Sequence, residues 1–80
     1  MTNLEKYNNA FVTVFEVEVS ALNDTFSRDN VENWDSLAHL SLVGEIEDAF
    51  DIMLETDEIL NLSSYQAGIE VLKNHDISVG

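Results

Sequence analysis

Cysteine and proline are both absent from this chain of 80 residues, glycine occurs three times, and only three side chains are Lys or Arg. Without cysteine there is no disulfide framework, no thiolate metal site and no cysteine nucleophile, so any thiol chemistry has to be borrowed from a cofactor. No apolar run approaches the length of a membrane span, and the first residues have neither the basic stretch nor the apolar core of a signal peptide. The chain is therefore expected in the cytoplasm, without membrane insertion. Internal repeats and low-complexity stretches are also lacking.

Against the three bases stand 16 acids, for a formal net charge of -13. Nucleic-acid binding depends on Lys and Arg to displace counterions, so this balance argues against it and points to basic proteins as partners. The charge is unevenly placed. Residues 29–72 contain eleven Asp or Glu and no Lys or Arg, and seven of those acids fall in residues 45–58. Such a run is ordinarily a solvated face that aids solubility.

The length suffices for one domain of thin stability margin. Leu4, Tyr7, Phe11, Val14 and Phe15 recur at helical spacing and predict a helix over residues 3–17. The string Phe15-Glu16-Val17-Glu18-Val19 alternates like a strand, but a lone strand has no evident partner, so the helix is expected to fray early. Residues 20–34 form a long connection with two turn-rich clusters, pinned by Leu22, Phe26, Val31 and Trp34. In so small a domain Trp34 reads as a packing anchor rather than a ligand platform.

Residues 36–50 form the second helix. On a wheel of roughly 100° per residue, Leu42, Val43, Ile46, Ala49 and Phe50 share one side, while Leu37, Ser41, Gly44, Glu45, Asp48 and Asp51 lie opposite. Thr56 followed by two acids starts a short helix over residues 57–61. Ser63 with Gln66 makes a capping-box pattern that opens a helix over residues 64–74, burying Ile69 and Leu72. Residues 76–80 read as a loose, disordered tail. The fold expected is all-α, a small bundle of three main helices plus one short helix.

His39 and His75 have no cysteine or second histidine nearby, and each reads as a partly buried packing residue. No Ser-His-Asp arrangement is legible, and an enzyme is not expected. No window satisfies the ligand positions of an EF-hand loop, so no metal site is expected.

The segment with the most chemistry is Trp34-Asp35-Ser36-Leu37. Asp35 is a good N-cap, which places Ser36 on the first helical turn, where unpaired N–H groups and the helix dipole favour a phosphate. The order Asp35-Ser36-Leu37, then Leu40, Val43, Ile46, Glu47 and Phe50, resembles the acyl/peptidyl carrier protein family, including its Glu-x-x-Phe spacing. The chain has that family's length, and the resemblance covers nearly all of it.

The resemblance implies a 4′-phosphopantetheine arm on Ser36, transferred from coenzyme A by a phosphopantetheinyl transferase with magnesium near Asp35. It implies that the arm's thiol holds acyl or aminoacyl groups as thioesters, which a protein without cysteine cannot intercept. Loading and acyl-transferring enzymes with basic patches would meet Leu37 and the acids Glu45, Glu47, Asp48 and Asp51 of a monomeric carrier. The acidic run thereby becomes a docking surface, although Glu47 lies toward the flank of the wheel.

Departures from the family narrow the subclass. Many fatty-acid carriers have Leu-Gly before the motif, acids at the positions of Ala38 and Ser41, and a bulky apolar residue at Gly44. Asn33-Trp34 and three small uncharged residues stand here instead. The chain looks more like a carrier for polyketide, nonribosomal-peptide-like or surface-polysaccharide synthesis than for central fatty-acid synthesis. Gly44 either serves close approach by a partner or the arm, or is a tolerated imperfection. The competing expectation is an acidic helical interaction module with no prosthetic group.

Overall fold

The computed structural model describes residues 2–79. Four α-helices carry the fold: α1 Asn3–Phe15, α2 Ser36–Phe50, α3 Thr56–Asn61 and α4 Tyr65–Lys73, with one 3-10 turn at Val19–Ala21 between the first two. Among the described residues no strand forms. Ser27 and Ser64 make a single isolated bridge. The expected all-α bundle is what the chain adopts.

α1 opens with a capping box. Thr2 Oγ1 accepts from the Glu5 amide at 3.1 Å, and the Glu5 carboxylate accepts from the Thr2 amide at 3.0 Å, which satisfies two otherwise orphaned donors. Its buried face is Tyr7, Ala10, Phe11 and Phe15. The helix stops at Phe15, two residues before the expected end at Val17. Glu16 turns into the left-handed region at φ 54° while its amide still reaches Val12 O at 2.9 Å. Val17 then folds back against the core. The alternating valines therefore mark a chain reversal and not a strand.

Phe11 is the hub of the core. Its ring lies 5.0–6.0 Å from those of Tyr7, Phe15, Phe26, Trp34 and Tyr65, mostly edge to face. The long connection is held as expected, with Phe26 and Trp34 buried and Leu22 and Val31 half-buried against the same cluster. It is also tied to the start of α4: the Arg28 amide donates to Ser63 O and the Tyr65 amide to Phe26 O, at 2.9 and 2.8 Å.

α2 has the predicted bounds. The caps of the two later helices differ from expectation by one residue. α3 begins after Glu55, whose amide is held by the Glu58 carboxylate at 3.0 Å, so Thr56 is its first helical residue and not its cap. α4 is capped by Ser64, whose hydroxyl accepts from the Ala67 amide at 2.9 Å. Ser63 cannot take that part, because its carbonyl is committed to Arg28 across the chain.

The tail is a larger correction. In place of a loose end, Val79 is buried, Ile77 packs on the core, and Ser78 O accepts from Asn3 Nδ2 at 3.1 Å. The apolar alternation of Ile77 and Val79 outweighs the usual fraying of a terminus. Gly80 lies outside the described residues.

Two glycines behave in opposite ways. A Cβ on Gly68 would fall 2.0 Å from Tyr7 Oη and 2.8 Å from Leu62 Cδ1. The Tyr7 hydroxyl is not free to retreat, since it donates to Tyr65 O and the ring is fully buried. A Cβ on Gly44 would meet nothing within 4 Å, so nothing inside the chain requires glycine there. Gly68→Ala should lower unfolding stability by about 1–3 kcal/mol through overpacking. Gly44→Ala should raise it by roughly 0.5–1 kcal/mol through helix propensity. Urea titration of the two variants checks both signs.

Candidate functional site

Ser36 is the first residue of α2, and three neighbours fix where it sits. Asp35, extended at φ -96° and ψ -175°, caps the helix: its Oδ1 accepts from the Ala38 amide at 2.9 Å and its carbonyl from the His39 amide at 2.9 Å. Trp34, buried to 3% exposure, anchors the incoming chain in the aromatic core. Ser36 itself is exposed, and its hydroxyl makes no hydrogen bond with any described residue. The amides of Ser36 and Leu37 lie in the first turn, where no intrahelical acceptor exists, so they and the helix dipole face the same solvent as the hydroxyl.

His39 completes the support, in a way its sequence context did not reveal. It is 7% exposed and bridges two groups: Trp34 Nε1 lies 3.0 Å from His39 Nδ1, and Ile59 O lies 2.8 Å from Nε2. An indole N–H can only donate, so Nδ1 must be the unprotonated nitrogen. Nε2 then carries the proton and donates to the Ile59 carbonyl. With both ring nitrogens occupied, His39 is not available as a base for Ser36. It is a polar strut joining the loop before Ser36, the first turns of α2 and the end of α3.

The outward face of α2 holds the other predicted site residues. Leu37 is 77% exposed beside Ser36, and Glu45, Asp48 and Asp51 are exposed farther along. Asp51 also ends the helix, in the left-handed region at φ 53°. Glu47 is placed differently. Its side chain is half-buried and its Oε2 accepts from the Leu54 amide at 2.8 Å, so it fastens the turn after α2.

One further exposed leucine extends the apolar surface near Ser36 beyond Leu37. Leu40, 63% exposed, falls about 40° from Ser36 on the helical wheel, so the wheel contained that signal. Leu60, 72% exposed, follows the residue whose carbonyl His39 holds. That contact of α3 with α2 is tertiary and has no signature in the sequence.

Among the described residues no cluster of three or more His, Asp or Glu could hold a metal ion, and no helix is long and apolar enough to cross a membrane. No protein-family model, curated protein or solved structure matches this chain.

His39→Leu keeps most of the side-chain volume but orphans the Trp34 N–H and the Ile59 carbonyl. Each buried unsatisfied group costs about 1–3 kcal/mol, so the variant should lose roughly 2–4 kcal/mol of stability with Trp34 fluorescence shifted to the red. Denaturation followed by tryptophan emission tests this. Wild-type stability and emission would show that the strut contributes nothing.

Proposed function

We propose that the chain is a carrier protein whose Ser36 hydroxyl bears a 4′-phosphopantetheine arm. The observation that carries this reading is an exposed, unengaged serine hydroxyl on the first turn of α2, whose backbone is held by a cap, a buried indole and a histidine strut. A purely structural helix start has no need of that much fixation around a residue whose hydroxyl bonds to no described residue.

The residues fit the group. Oγ of Ser36 is open to attack the β-phosphate of coenzyme A within a transferase, displacing the nucleotide portion, and the resulting phosphodiester sits where first-turn amides and the helix dipole offset its charge. Asp35 uses Oδ1 for the cap, which leaves Oδ2 for a magnesium ion brought by the transferase. The arm supplies the thiol that this cysteine-free chain lacks, and holds acyl or aminoacyl cargo as a thioester. Activation of the hydroxyl belongs to the transferase, because His39 is occupied and turned inward.

Partner enzymes would read the face around this site. Leu37, joined by Leu40, offers apolar contact, while Glu45, Asp48 and Asp51 attract basic patches. Glu47 contributes less, since its carboxylate is already engaged with Leu54. Small uncharged residues at Ala38, Ser41 and Gly44 make the apolar end of this face flatter and less acidic, which favours dedicated partners of a specialised pathway. An unmodified acidic interaction module is the alternative that the first test separates.

Coexpression with a broad-specificity phosphopantetheinyl transferase should add the mass of the arm to wild type. Ser36→Ala should gain nothing while retaining its helical circular dichroism. Wild type that stays unmodified, or an alanine variant that still gains the arm, would refute the carrier reading.

Replacing Asp48 and Asp51 together by Asn should slow transfer by a cognate enzyme about three- to tenfold at low ionic strength, mainly through association. Added salt should narrow the gap. Equal rates and equal salt dependence would reduce the acidic face to a solubility feature.

A further inference from the structure

Both histidines of the chain bind the same short helix. α3 has six residues and buries none of them fully, so packing alone holds it weakly. From α2, His39 Nε2 donates to Ile59 O at 2.8 Å. From the turn after α4, His75 Nε2 lies 2.8 and 3.0 Å from the two carboxylate oxygens of Glu58. The same carboxylate accepts from the Glu55 amide at 3.0 Å. One side chain therefore caps α3 and fastens it to the end of α4.

The surroundings isolate this pair. Of the other acids there, Glu55 caps α3 and Asp57 lies within it, and both are exposed. On α4, Lys73 lies 3.6 Å from Glu70 on an exposed face, and Asp76 adjoins His75 in the turn. From α2 come His39, with both nitrogens occupied, and Glu47, bonded to the Leu54 amide. His75 is thus the one basic side chain that Glu58 contacts among the described residues, and both are largely shielded, with side-chain exposures of 14% and 24% for Glu58 and His75.

We propose that Glu58 and His75 form a pH-sensitive latch: α3 stays docked while the Glu58 carboxylate is ionised and comes away as a unit, with α1 and α2 still folded, when it is protonated. The Glu55 amide, the largest influence, holds the Glu58 carboxyl below the ordinary carboxylate value; burial opposes it, and the His75 imidazole adds a smaller lowering. A folded-state value below the unfolded one means that the stabilisation is present above the ordinary carboxylate range. It is lost as pH falls through the lowered value. Because α3 meets the first turns of α2 through His39, its release would free the ring nitrogen of His39, one turn after Ser36, that holds the Ile59 carbonyl. The latch does not depend on the carrier reading and can hold or fail without it.

Amide hydrogen exchange by NMR, expressed as protection factors from neutral pH to below the carboxylate range, tests the latch on the intact chain. Protection of the Ile59 amide, which donates to Glu55 O at 2.9 Å, should fall about tenfold as Glu58 protonates, the size expected on losing charge-assisted hydrogen bonds. Phe11 and Ile46, in the middle of α1 and α2, should keep theirs. Glu58→Gln should give low Ile59 protection at every pH with no acid step. His75→Gln, which puts a shorter amide donor in place of the imidazole, should lower protection at neutral pH without unfolding the chain. The proposal is overturned if Ile59 loses protection in parallel with Phe11 and Ile46, if Glu58→Gln keeps the wild-type profile, or if His75→Gln leaves neutral-pH protection unchanged.

Discussion

The ring of Phe11 is the contact on which the remaining structure depends. Five aromatic side chains meet it, from α1, the long connection and α4. Such pairs contribute about 0.5–1.5 kcal/mol each beyond the apolar area they bury. In an 80-residue chain with neither disulfide nor proline, that cluster takes the place of a covalent staple for the connection between α1 and α2. Trp34 is the last of its members on that connection, and Ser36 is two residues further on. The position of the exposed serine thus rests on apolar packing through Trp34 together with the Asp35 cap and the His39 strut.

The ends of the helices show what the shortage of glycine requires. Glu16, Asp51 and Asp76 all have positive φ, at 54°, 53° and 61°, in the place where a glycine commonly ends a helix. Each acid is unfavourable there twice over, through the strain of a left-handed backbone and through its charge at the negative end of the dipole. What offsets this is the next residue. Val17, Ile52 and Ile77 each follow the acid and pack on the core, and the Ile52 and Ile77 amides reach back to Glu47 O and Leu72 O at 3.1 and 3.0 Å. Those two ends are Schellman motifs with an acid at the left-handed position and an apolar residue after it.

That pattern explains which parts of the fold were legible beforehand. Helix starts carried recognisable side-chain chemistry: Asp35 marked the start of α2, and the apolar spacing carried it to Phe50. Helix ends carried no Gly or Pro, so α1 was extended over Val17 and the tail was read as loose, although Glu16-Val17 and Asp76-Ile77 repeat the acid-then-apolar step of Asp51-Ile52. The Ser63-to-Gln66 spacing points to Ser63 as the cap of α4, yet the hydroxyl that caps is that of Ser64, which the chain brings into place through its bridge with Ser27 and the bond from the Arg28 amide to Ser63 O. Ser36, Leu37 and the outward acids could be placed from the wheel, whereas the His39 strut joins residues 20 positions apart in sequence and no local pattern encodes it.

The two histidines separate duties that a larger protein would distribute among more residues. His39 is locked as one neutral tautomer by an indole that can only donate, so it acts as a fixed spacer between the serine's loop and α3. His75 meets a carboxylate, and the strength of that contact follows the charge of its partner. The helix between them has six residues and no fully buried side chain, which makes it the element whose attachment rests most on polar contacts. Repulsion among the acids of residues 45–58 acts on the same helix and favours its departure, opposed by the His75 contact and by the Glu58 cap. A domain whose core is fixed by rings and whose least buried helix is held by ionisable groups can release that helix, and with it one end of the His39 strut, while the aromatic cluster that anchors Trp34 stays packed.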